Sequence, residues 1–588
     1  MLQNPDDGRS ATKESLWITR TGLVACLGAI FTFLAPPVSS AQQSSAPGSG
    51  VIRGKVLAEN GRGLPQATIF LHRVGDQHDA MRWTNSDADG KFQFGSLAEG
   101  AYRLTVTSLG YVMEGDPITG KAELPLYYPG DFASLSLAKG GVITGTVTDA
   151  AGNPAVNAQV TALPVEREGK EFPLRFPVRT DDRGIYRIYG LHAGNYHVRA
   201  GGSASNYSFS AYDGIAPSFY SMEADGAPSV VGVRTGLEIT GIDMRLRAEI
   251  GQTIRGEVTL SPSLKSSKLW AEINLIHAES GILERTSATS RETLAGKFTL
   301  AHIPDGNYYL LAQTPREMET RGASTPVPLS IRGQDVSNVK LVMNPLGTLA
   351  GRVVIEKTET GAECAPPGIN WMKGLVLSTR RLPDRKQKSV LDQFLPSEAE
   401  TVAGAKGEFQ LAGLSDGNHQ LIIHLPARSF YLKSVKPGMD SATGAKPAAS
   451  RLVFSIRGSQ AGENLQITLA PGAAEISGHI AAPAGEAGSA GAVRIFLVPA
   501  EENSTDDILR YAETRPDGNG AFQLRNLAPG SYSLLPWPER NIPATTAELP
   551  AFFSSSFRLK LRQAAAHERG VTLKPCQSLA GLELTIPR

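Results

Sequence analysis

The chain has little cysteine, no excess of either charge and no catalytic motif. It contains 3 cysteines in 588 residues, and 58 basic residues against 57 acidic ones give a formal net charge of +1. A nucleic-acid-binding surface needs a basic stripe to meet the phosphate backbone, so we expect no nucleic-acid partner. Cys364 and Cys576 fall in different units of the repeat described below. We therefore predict no structural disulfide between them and no zinc site.

Enzyme signatures are also missing. The sequence has no HExxH, no Gly-x-Ser-x-Gly, no Walker loop and no GxGxxG after a strand. The histidine pairs His192/His197 and His419/His424 have no carboxylate or cysteine partner at metal-ligand spacing. We accordingly predict no enzyme, no catalytic residue, no cofactor and no metal, apart from the calcium hypothesis below.

The N-terminal segment has the pattern of an export signal. Lys13 and Arg20 precede an apolar run over 22–34, and small residues follow at 39–41. This order predicts a signal peptide over 1–41 and a linker over 42–49, hence a periplasmic, cell-surface or secreted protein without a further transmembrane segment. An uncleaved anchor and lipidation at Cys26 remain alternatives.

The most informative feature is a repeated signature, Gly-x-Aro-x-φ-x-x-Leu-x-x-Gly-x-Tyr, where Aro is aromatic and φ is mostly apolar. It occurs five times, and His419 takes the place of the tyrosine in the fourth copy. The copies are Gly90/Phe92/Phe94/Leu97/Gly100/Tyr102, Gly184/Tyr186/Ile188/Leu191/Gly194/Tyr196, Gly296/Phe298/Leu300/Ile303/Gly306/Tyr308, Gly407/Phe409/Leu411/Leu414/Gly417/His419 and Gly520/Phe522/Leu524/Leu527/Gly530/Tyr532.

The spacing of the signature is that of β-structure. Aro-x-φ places two large side chains on one face of a strand, and the leucine plugs a core from the connection. The two glycines stand ten positions apart in every copy, and we interpret this interval as the corner of an antiparallel hairpin. Gly and Pro together make up 99 of 588 residues (61 and 38), which suits short strands joined by many turns.

Each signature lies between an opening strand with a central glycine and a closing apolar strand. This pattern predicts an all-β chain, a tandem array of about five antiparallel transthyretin-like or Ig-like β-sandwiches. The predicted units span 50–138, 139–247, 248–344, 345–470 and 471–588.

Several of these motifs resemble the carboxypeptidase regulatory-like domain. They are the opening Gly-x-Val strand, the Leu64–Ala67 step Leu-Pro-x-Ala, the Asp-x-Asp-Gly-x-Phe turn and the Leu-x-x-Gly-x-Tyr segment. The resemblance extends over 50–588 and is weakest in the fourth unit. It implies a transthyretin-like, seven-stranded antiparallel sandwich that serves as an accessory module in exported and cell-envelope proteins and lacks a peptidase centre.

Aromatic pairs between the signature and the closing strand are the candidate ligand platforms. The candidates are Tyr127, Tyr128, Phe219, Tyr220, Phe552 and Phe553. If exposed, their rings would stack on sugar rings; alternatively, they seal the end of a sandwich or the joint with the next unit. Trp83, Trp270, Trp371 and Trp537 share both alternatives.

One acidic turn resembles the start of a calcium loop. Asn85, Asp87 and Asp89 alternate as calcium ligands would, but Ser96 stands where a bidentate Glu is needed. The competing interpretation is a turn in which these side chains bind their own backbone.

The sequence therefore predicts a non-catalytic, exported scaffold or binding protein, and carbohydrate is the favoured ligand class on fold analogy. Its partners would be polysaccharide or envelope proteins, and we expect a monomer. The alternative is a structural stalk or a protein–protein interaction module without a small-molecule site. An enzyme is the third hypothesis.

Overall fold

The computed structural model is described here for most of the chain after residue 49. The described residues are 50–75, 81–113, 125–165, 177–202, 210–222, 227–264, 270–288, 296–315, 318, 320–356, 371–382, 390–396, 398–426, 429–437, 451–458, 461–481, 493–501, 506–516, 520–542, 549–566, 568 and 570–585. The predicted signal peptide and linker lie outside them.

The first three units are built from short strands. The first has β1 Gly50–Ala58, β2 Thr68–Arg73, β3 Arg82–Asn85, β4 Lys91–Leu97, β5 Tyr102–Thr107, β6 Tyr111–Met113, β7 Leu126–Tyr127 and β8 Phe132–Lys139. The second has β9 Gly141–Thr148, β10 Gln159–Pro164, β11 Val178–Arg179, β12 Ile185–Leu191, β13 Gly194–Ala200, β14 Ser218–Phe219, β15 Val231–Val233, β16 Glu238–Ile239 and β17 Met244–Arg245. The third has β18 Gln252–Leu260, β19 Glu272–His277, β20 Leu283–Ala288, β21 Gly296–Ile303, β22 Gly306–Gln313, β23 Gly322–Ser324, β24 Val327–Ile331 and β25 Val336–Pro345.

The last two units follow the same plan, and the fifth adds a helix. The fourth has β26 Gly347–Ile355, β27 Val376–Leu382, β28 Glu398–Val402, β29 Glu408–Leu414, β30 Gly417–His424, β31 Phe430–Pro437, β32 Val453–Ile456 and β33 Ala461–Pro471. The fifth has β34 Ala474–Ala481, β35 Val493–Pro499, β36 Ala512–Thr514, β37 Ala521–Leu527, β38 Gly530–Pro538, α1 Ser555–Ala565, β39 Gly570–Leu573 and β40 Ser578–Thr585. Single 3-10 turns lie at Ala211–Gly214, Trp371–Gly374, Asp392–Phe394, Ile508–Arg510, Glu539–Asn541 and Ala551–Phe553.

Every sheet takes its strands from one unit. In the first unit the sheets have the strand orders β4-β1-β8-β6 and β3-β2-β5-β7, and the fourth unit repeats this plan with β29-β26-β33-β31 and β28-β27-β30-β32. In the third unit β23 pairs with both β22 and β25 and joins the two layers into one sheet. The prediction of a tandem all-β sandwich array is confirmed; the unit boundaries stay a prediction.

The signature is not a hairpin, and that interpretation is wrong. In the first unit β4 pairs with β1 in one sheet, whereas β5 pairs with β2 in the other. The Leu-x-x-Gly segment is therefore an arch that carries the chain from one layer to the other. It sends its leucine into the core between the layers, a position that a two-stranded hairpin within one sheet would not provide.

The last residue of the signature holds this arch closed. Its side chain donates a hydrogen bond to the carbonyl four residues earlier, as in the tyrosine corner of other β-sandwiches. The bonds are Tyr102 to Ala98 (2.8 Å), Tyr196 to His192 (3.0 Å), Tyr308 to Pro304 (2.9 Å), His419 Nε2 to Ser415 (2.8 Å) and Tyr532 to Ala528 (2.7 Å). The histidine of the fourth copy thus replaces the tyrosine in the same role.

The position before the signature leucine carries a bulge. Its residue has positive φ in every copy: Ser96 (55°), Gly190 (66°), His302 (62°), Gly413 (85°) and Asn526 (56°). Here the pairing with the opening strand shifts register, as between the pairs Ile52–Phe94 and Gly50–Leu97 in the first unit. The extra residue turns the leucine towards the core.

The central glycine of the opening strand makes room for the signature's first aromatic ring. A Cβ on Gly54 would lie 2.3 Å from the Phe92 ring and 2.4 Å from the carbonyl oxygen of Ala133 on the closing strand. The same contacts recur at Gly256, where a Cβ would lie 2.5 Å from Phe298, and at the other opening strands. The opening glycine and the aromatic residue of the signature therefore form one packing unit.

Each unit contains parallel pairing, which departs from the expected antiparallel arrangement; in the second unit both β16 and β17 run parallel to β9. The opening strand runs parallel to the closing strand, as β1 does to β8 and β34 to β40. The arch changes layers, and this lets the chain return to the opening strand in the same direction.

Separate apolar cores fill the five sandwiches. In the fifth unit a further cluster lies on the outer side of β35, where Phe496 and Leu535 are covered by Phe557 and Leu561 of α1. The Ser554 hydroxyl caps this helix by accepting from the Phe557 amide.

Neighbouring units contact one another directly. Between the second and third units, Arg199 Nη1 donates to the carbonyl oxygen of Glu284 at 2.7 Å. Between the fourth and fifth, Asn526 Nδ2 donates to the carbonyl of Phe430 at 2.8 Å. Between the third and fourth, a Cβ on Gly413 would lie 2.9 Å from Arg321 Cγ. Strand β6 of the first unit contacts β12 of the second.

Candidate functional site

The acidic turn of the first unit is bound to its own backbone. Asp87 Oδ1 accepts from the amides of Asp89 and Lys91 at 3.0 and 2.7 Å, and Asn85 Oδ1 accepts from the Thr68 hydroxyl. Asp89 is fully exposed and pairs with Lys91, and the bond to that ammonium group lowers the pKa of its carboxyl. Among the described residues, no three His, Cys, Asp or Glu side chains converge as metal ligands would. Calcium binding at this turn stays a prediction.

The first aromatic pair is half-buried. Tyr127 packs against the core of the first sandwich, and burial raises the pKa of its hydroxyl. Tyr128 belongs to a different apolar cluster, and its hydroxyl donates to the carbonyl oxygen of Gly374 in the fourth unit at 3.3 Å. Tyr127 thus contacts its own sandwich, whereas Tyr128 contacts the fourth unit rather than the next one along the chain.

The other candidate pairs also contact protein. Phe219 is half-buried in β14, which pairs with β13, and Tyr220 packs against the core of the second sandwich. Phe552 is buried and Phe553 is half-buried in the cluster below α1, where Phe552 stacks on Tyr511 at a centroid distance of 5.9 Å. Their role in ligand binding stays a prediction.

Among the tryptophans, Trp83 is on the surface. It is 63 % exposed, whereas Trp537 packs in the cluster below α1. Strand β3 is an edge strand, and its register places Trp83 opposite Phe70 on the outer face of the sheet. Phe70 in turn lies opposite Thr105 of β5. The result is an aromatic surface with a hydroxyl neighbour, which we call the Trp83 platform (Trp83, Phe70, Thr105).

Sequence reasoning treated all four tryptophans alike and so did not single out this platform. The available signal was the short alternation Arg82-Trp83-Thr84-Asn85. Arg82 bonds the carbonyl oxygen of Gly95 at 2.8 Å, so the next residue must face the opposite way, into solvent.

The signature histidines are part of the packing. His419 is fully buried, and burial lowers the pKa of its imidazole, with the nearby Arg381 charge acting in the same direction. Burial also lowers the pKa of His197, which contacts the carbonyl oxygen of Ser229 at 3.3 Å. His424 contacts the Ser378 hydroxyl.

Charged groups are buried at two places. At the junction of the second and third units, burial lowers the pKa of the Arg199 guanidinium while the charge of Glu284 opposes this shift. In the fifth unit, burial raises the pKa of Glu513 against the charge of Arg494, which lies 2.9 Å away.

Cys576 is disulfide-bonded, so the prediction that the mature chain has no structural disulfide is wrong. Its amide donates to the carbonyl oxygen of Gly472, at the start of the same unit, at 3.2 Å. The other cysteines, Cys26 and Cys364, lie outside the described residues.

Within the parts of the chain that the structure describes, no helix has the length and apolarity needed to cross a membrane.

Comparison with solved structures returns bacterial surface proteins at low similarity. The minor pilin GBS52 of Streptococcus agalactiae has 12 % identity over 34 % of this chain and 95 % of its own, with a TM-score of 0.20. The major pilin subunit BcpA of Bacillus cereus has 10 % identity over 72 % and 99 %, with a TM-score of 0.13. The shaft pilin spaA of Lactobacillus rhamnosus GG has 8 % identity over 34 % and 96 %, with a TM-score of 0.17. Superpositions this poor carry no argument about function.

Comparison by sequence is more specific. No curated protein matches the chain. The model of the carboxypeptidase regulatory-like domain family matches residues 51–123 and 142–216, which lie in the first two sandwiches. The resemblance noted from the motifs is confirmed for these segments: the chain carries two copies of the carboxypeptidase regulatory-like domain.

Proposed function

We propose that the chain is an exported, non-catalytic scaffold that binds through the surfaces of its sandwiches. The observation that carries this proposal is the use of the repeated polar side chains. The corner side chains bond the backbone in all five units, and so do the turn acids Asp87 and Asp181. The Ser86 hydroxyl accepts from the Ala67 amide and donates to the Leu64 carbonyl oxygen. In the second unit, the Thr180 hydroxyl makes the equivalent bonds to Ala158 and Ala155. The polar side chains that recur from unit to unit thus bond the backbone and stabilise the fold.

Export is supported by the disulfide at Cys576. Disulfides form and persist in oxidising compartments such as the periplasm and the cell exterior. This agrees with the signal peptide predicted from the N-terminal sequence and with a role at the cell surface or in the envelope.

Carbohydrate is the ligand class that we propose, and the Trp83 platform is the surface that favours it. An exposed indole offers a π face to the CH groups of a sugar ring, and Thr105 and the Asn85–Thr68 pair supply hydroxyl and amide groups beside it. The six aromatic candidates proposed from sequence would have to give up packing contacts to do the same.

The test is retention of the purified chain on insoluble polysaccharides, after a glycan array has identified a binding sugar. We expect Trp83→Ala to weaken binding about tenfold, the value of one stacking contact of about 1.4 kcal/mol. Phe132→Ala is the matched control, because Phe132 is 67 % exposed on the other sheet of the same unit. Equal retention of both variants would refute the platform. A chain that binds no glycan would leave protein interaction as its function.

A further inference from the structure

The first and fourth units, which are not neighbours in sequence, contact each other through an apolar cluster. Val74 and Ala101 of the first unit and Val376 of the fourth are buried together, and Leu126, Tyr128 and Val402 pack around them. We call this contact the clasp. Ala101 and Val376 are both 0 % exposed.

The clasp residues face away from their own sandwich cores. On β27, Leu377 belongs to the core of the fourth unit, so the adjacent Val376 points to the opposite side of the sheet. Val376 pairs with Val402 on β28, and together they form one side of the clasp. The fit is close, because a Cβ on Gly75 of the first unit would lie 2.5 Å from Val402 Cγ2.

Polar groups border this apolar centre. Arg103 of β5 forms an ion pair with Glu400 of β28, and both side chains are about three-quarters buried, with 21 % and 32 % exposure. The Tyr128 hydroxyl bonds the carbonyl oxygen of Gly374. An apolar centre with a charged, complementary rim is the anatomy of a protein–protein interface.

The two sides of the clasp are different surfaces, and two complete sandwiches separate them along the chain. Contacts between the first and second, second and third, and third and fourth units complete a closed cycle of units. Opening the clasp would break this cycle at one point and expose two complementary apolar faces without disturbing any sandwich core.

We propose that the clasp faces also join separate copies of this chain. The first-unit face of one copy binds the fourth-unit face of a second copy, and the reciprocal contact closes the pair. The partner is a second copy because each side of the clasp already matches the other in apolar packing and in charge, and a second copy carries both sides. Within one chain, the covalent connection between the two units favours the intramolecular clasp. The contact between two copies competes with it when the intramolecular clasp is weakened.

Charge reversal separates the two arrangements. In the Arg103→Glu chain two carboxylates face each other across the clasp, and in the Glu400→Arg chain two guanidinium groups do. In a reciprocal pair made from one copy of each variant, both contacts regain opposite charges. The double variant Arg103→Glu/Glu400→Arg is the matched control, because its charges are complementary within one chain.

The experiment is size-exclusion chromatography with light scattering, at low ionic strength. We expect each single variant alone to have the mass of one chain and a larger hydrodynamic radius than the wild type. Their equimolar mixture should show twice that mass, and the double variant should match the wild type. A mixture that keeps the mass of one chain at every concentration would overturn the exchange.

A second variant tests the clasp itself. Val376→Arg places a charge at the buried centre while Leu377 keeps the core of the fourth unit intact. Val376→Arg should enlarge the hydrodynamic radius and leave the circular dichroism spectrum unchanged. The double variant Val376→Arg/Glu400→Arg, mixed with the Arg103→Glu chain, should form no two-chain species. An unchanged radius in Val376→Arg would show that the contact does not hold the chain closed.

Discussion

His419 makes the stability of the fourth sandwich sensitive to acid. It is the corner residue of the fourth unit, and its Nε2 donates to the carbonyl oxygen of Ser415 at 2.8 Å. Its Nδ1 is buried and has no hydrogen-bond partner, so it suits a neutral imidazole and would leave the second N–H of an imidazolium without an acceptor. Burial and the Arg381 charge lower the pKa of the folded imidazole below 6.5.

The sign of the effect follows from this lowered pKa. Below pH 6.5 the unfolded chain binds a proton that the folded chain resists, so the free energy of unfolding falls as the pH falls. The loss cannot exceed about 1.4 kcal/mol per pH unit for one group. Between pH 6.5 and 5.5 the loss is therefore at most about 1 kcal/mol, or about 4 °C in Tm for a domain of ordinary size. The stability is fully present above pH 6.5.

The matched variant is His419→Tyr, which installs the residue of the other four copies and removes the titration. Thermal unfolding of both chains at pH 7.5 and 5.5 gives the difference that belongs to this group, since His197 and the other histidines are common to both. The Tm of the wild type should fall further than that of His419→Tyr, by up to about 4 °C. Equal losses in the two chains would refute the reasoning, and NMR titration of the imidazole would show whether its pKa is in fact unshifted.

Three further predictions concern single contacts. Tyr532→Phe removes the 2.7 Å bond to Ala528 and should lower the free energy of unfolding of the fifth sandwich by about 1–2 kcal/mol in denaturant unfolding. An unchanged midpoint would show that this bond does not stabilise the arch. Arg199→Met removes the 2.7 Å bond to the carbonyl oxygen of Glu284 at the junction of two units and should cost about 1.5–3 kcal/mol in denaturant unfolding; an unchanged midpoint would contradict this. Peptide mapping without reductant should find Cys576 in a cross-linked peptide, and a free thiol there would remove the support for export.

The all-β architecture could be predicted from the sequence because strand alternation and turn residues are local signals. The passage of the chain from one layer to the other could not be predicted, because Leu-x-x-Gly-x-Tyr has the same spacing in a hairpin and in an arch. What distinguishes them is the positive φ at Ser96 and its counterparts and the carbonyl that Tyr102 bonds. The parallel pairing of β1 with β8 joins residues about eighty positions apart, and no local pattern reports it.

The candidate site was harder to predict because exposure depends on distant parts of the chain. Tyr128 is covered by a contact with Gly374, which lies in the fourth unit. Phe552 is covered by the helix that follows it. Trp83 lies on β3, which is an edge strand of its sheet among the described residues, and the alternation of the sequence does not report that position.

The central claim is that each signature packs against the glycine of its own opening strand to build a separate sandwich core. The most direct test is hydrogen exchange, by mass spectrometry, of Gly54→Ala beside Gly95→Ala. A Cβ at Gly54 meets Phe92 and Ala133, which we expect to cost about 3 kcal/mol, whereas one at Gly95 has nothing within 4 Å. We predict that Gly54→Ala loses protection in the first sandwich and at the clasp strands of the fourth, while the cores of the second, third and fifth stay protected and Gly95→Ala matches the wild type. Loss of protection along the whole chain, or none in the first sandwich, would contradict the account.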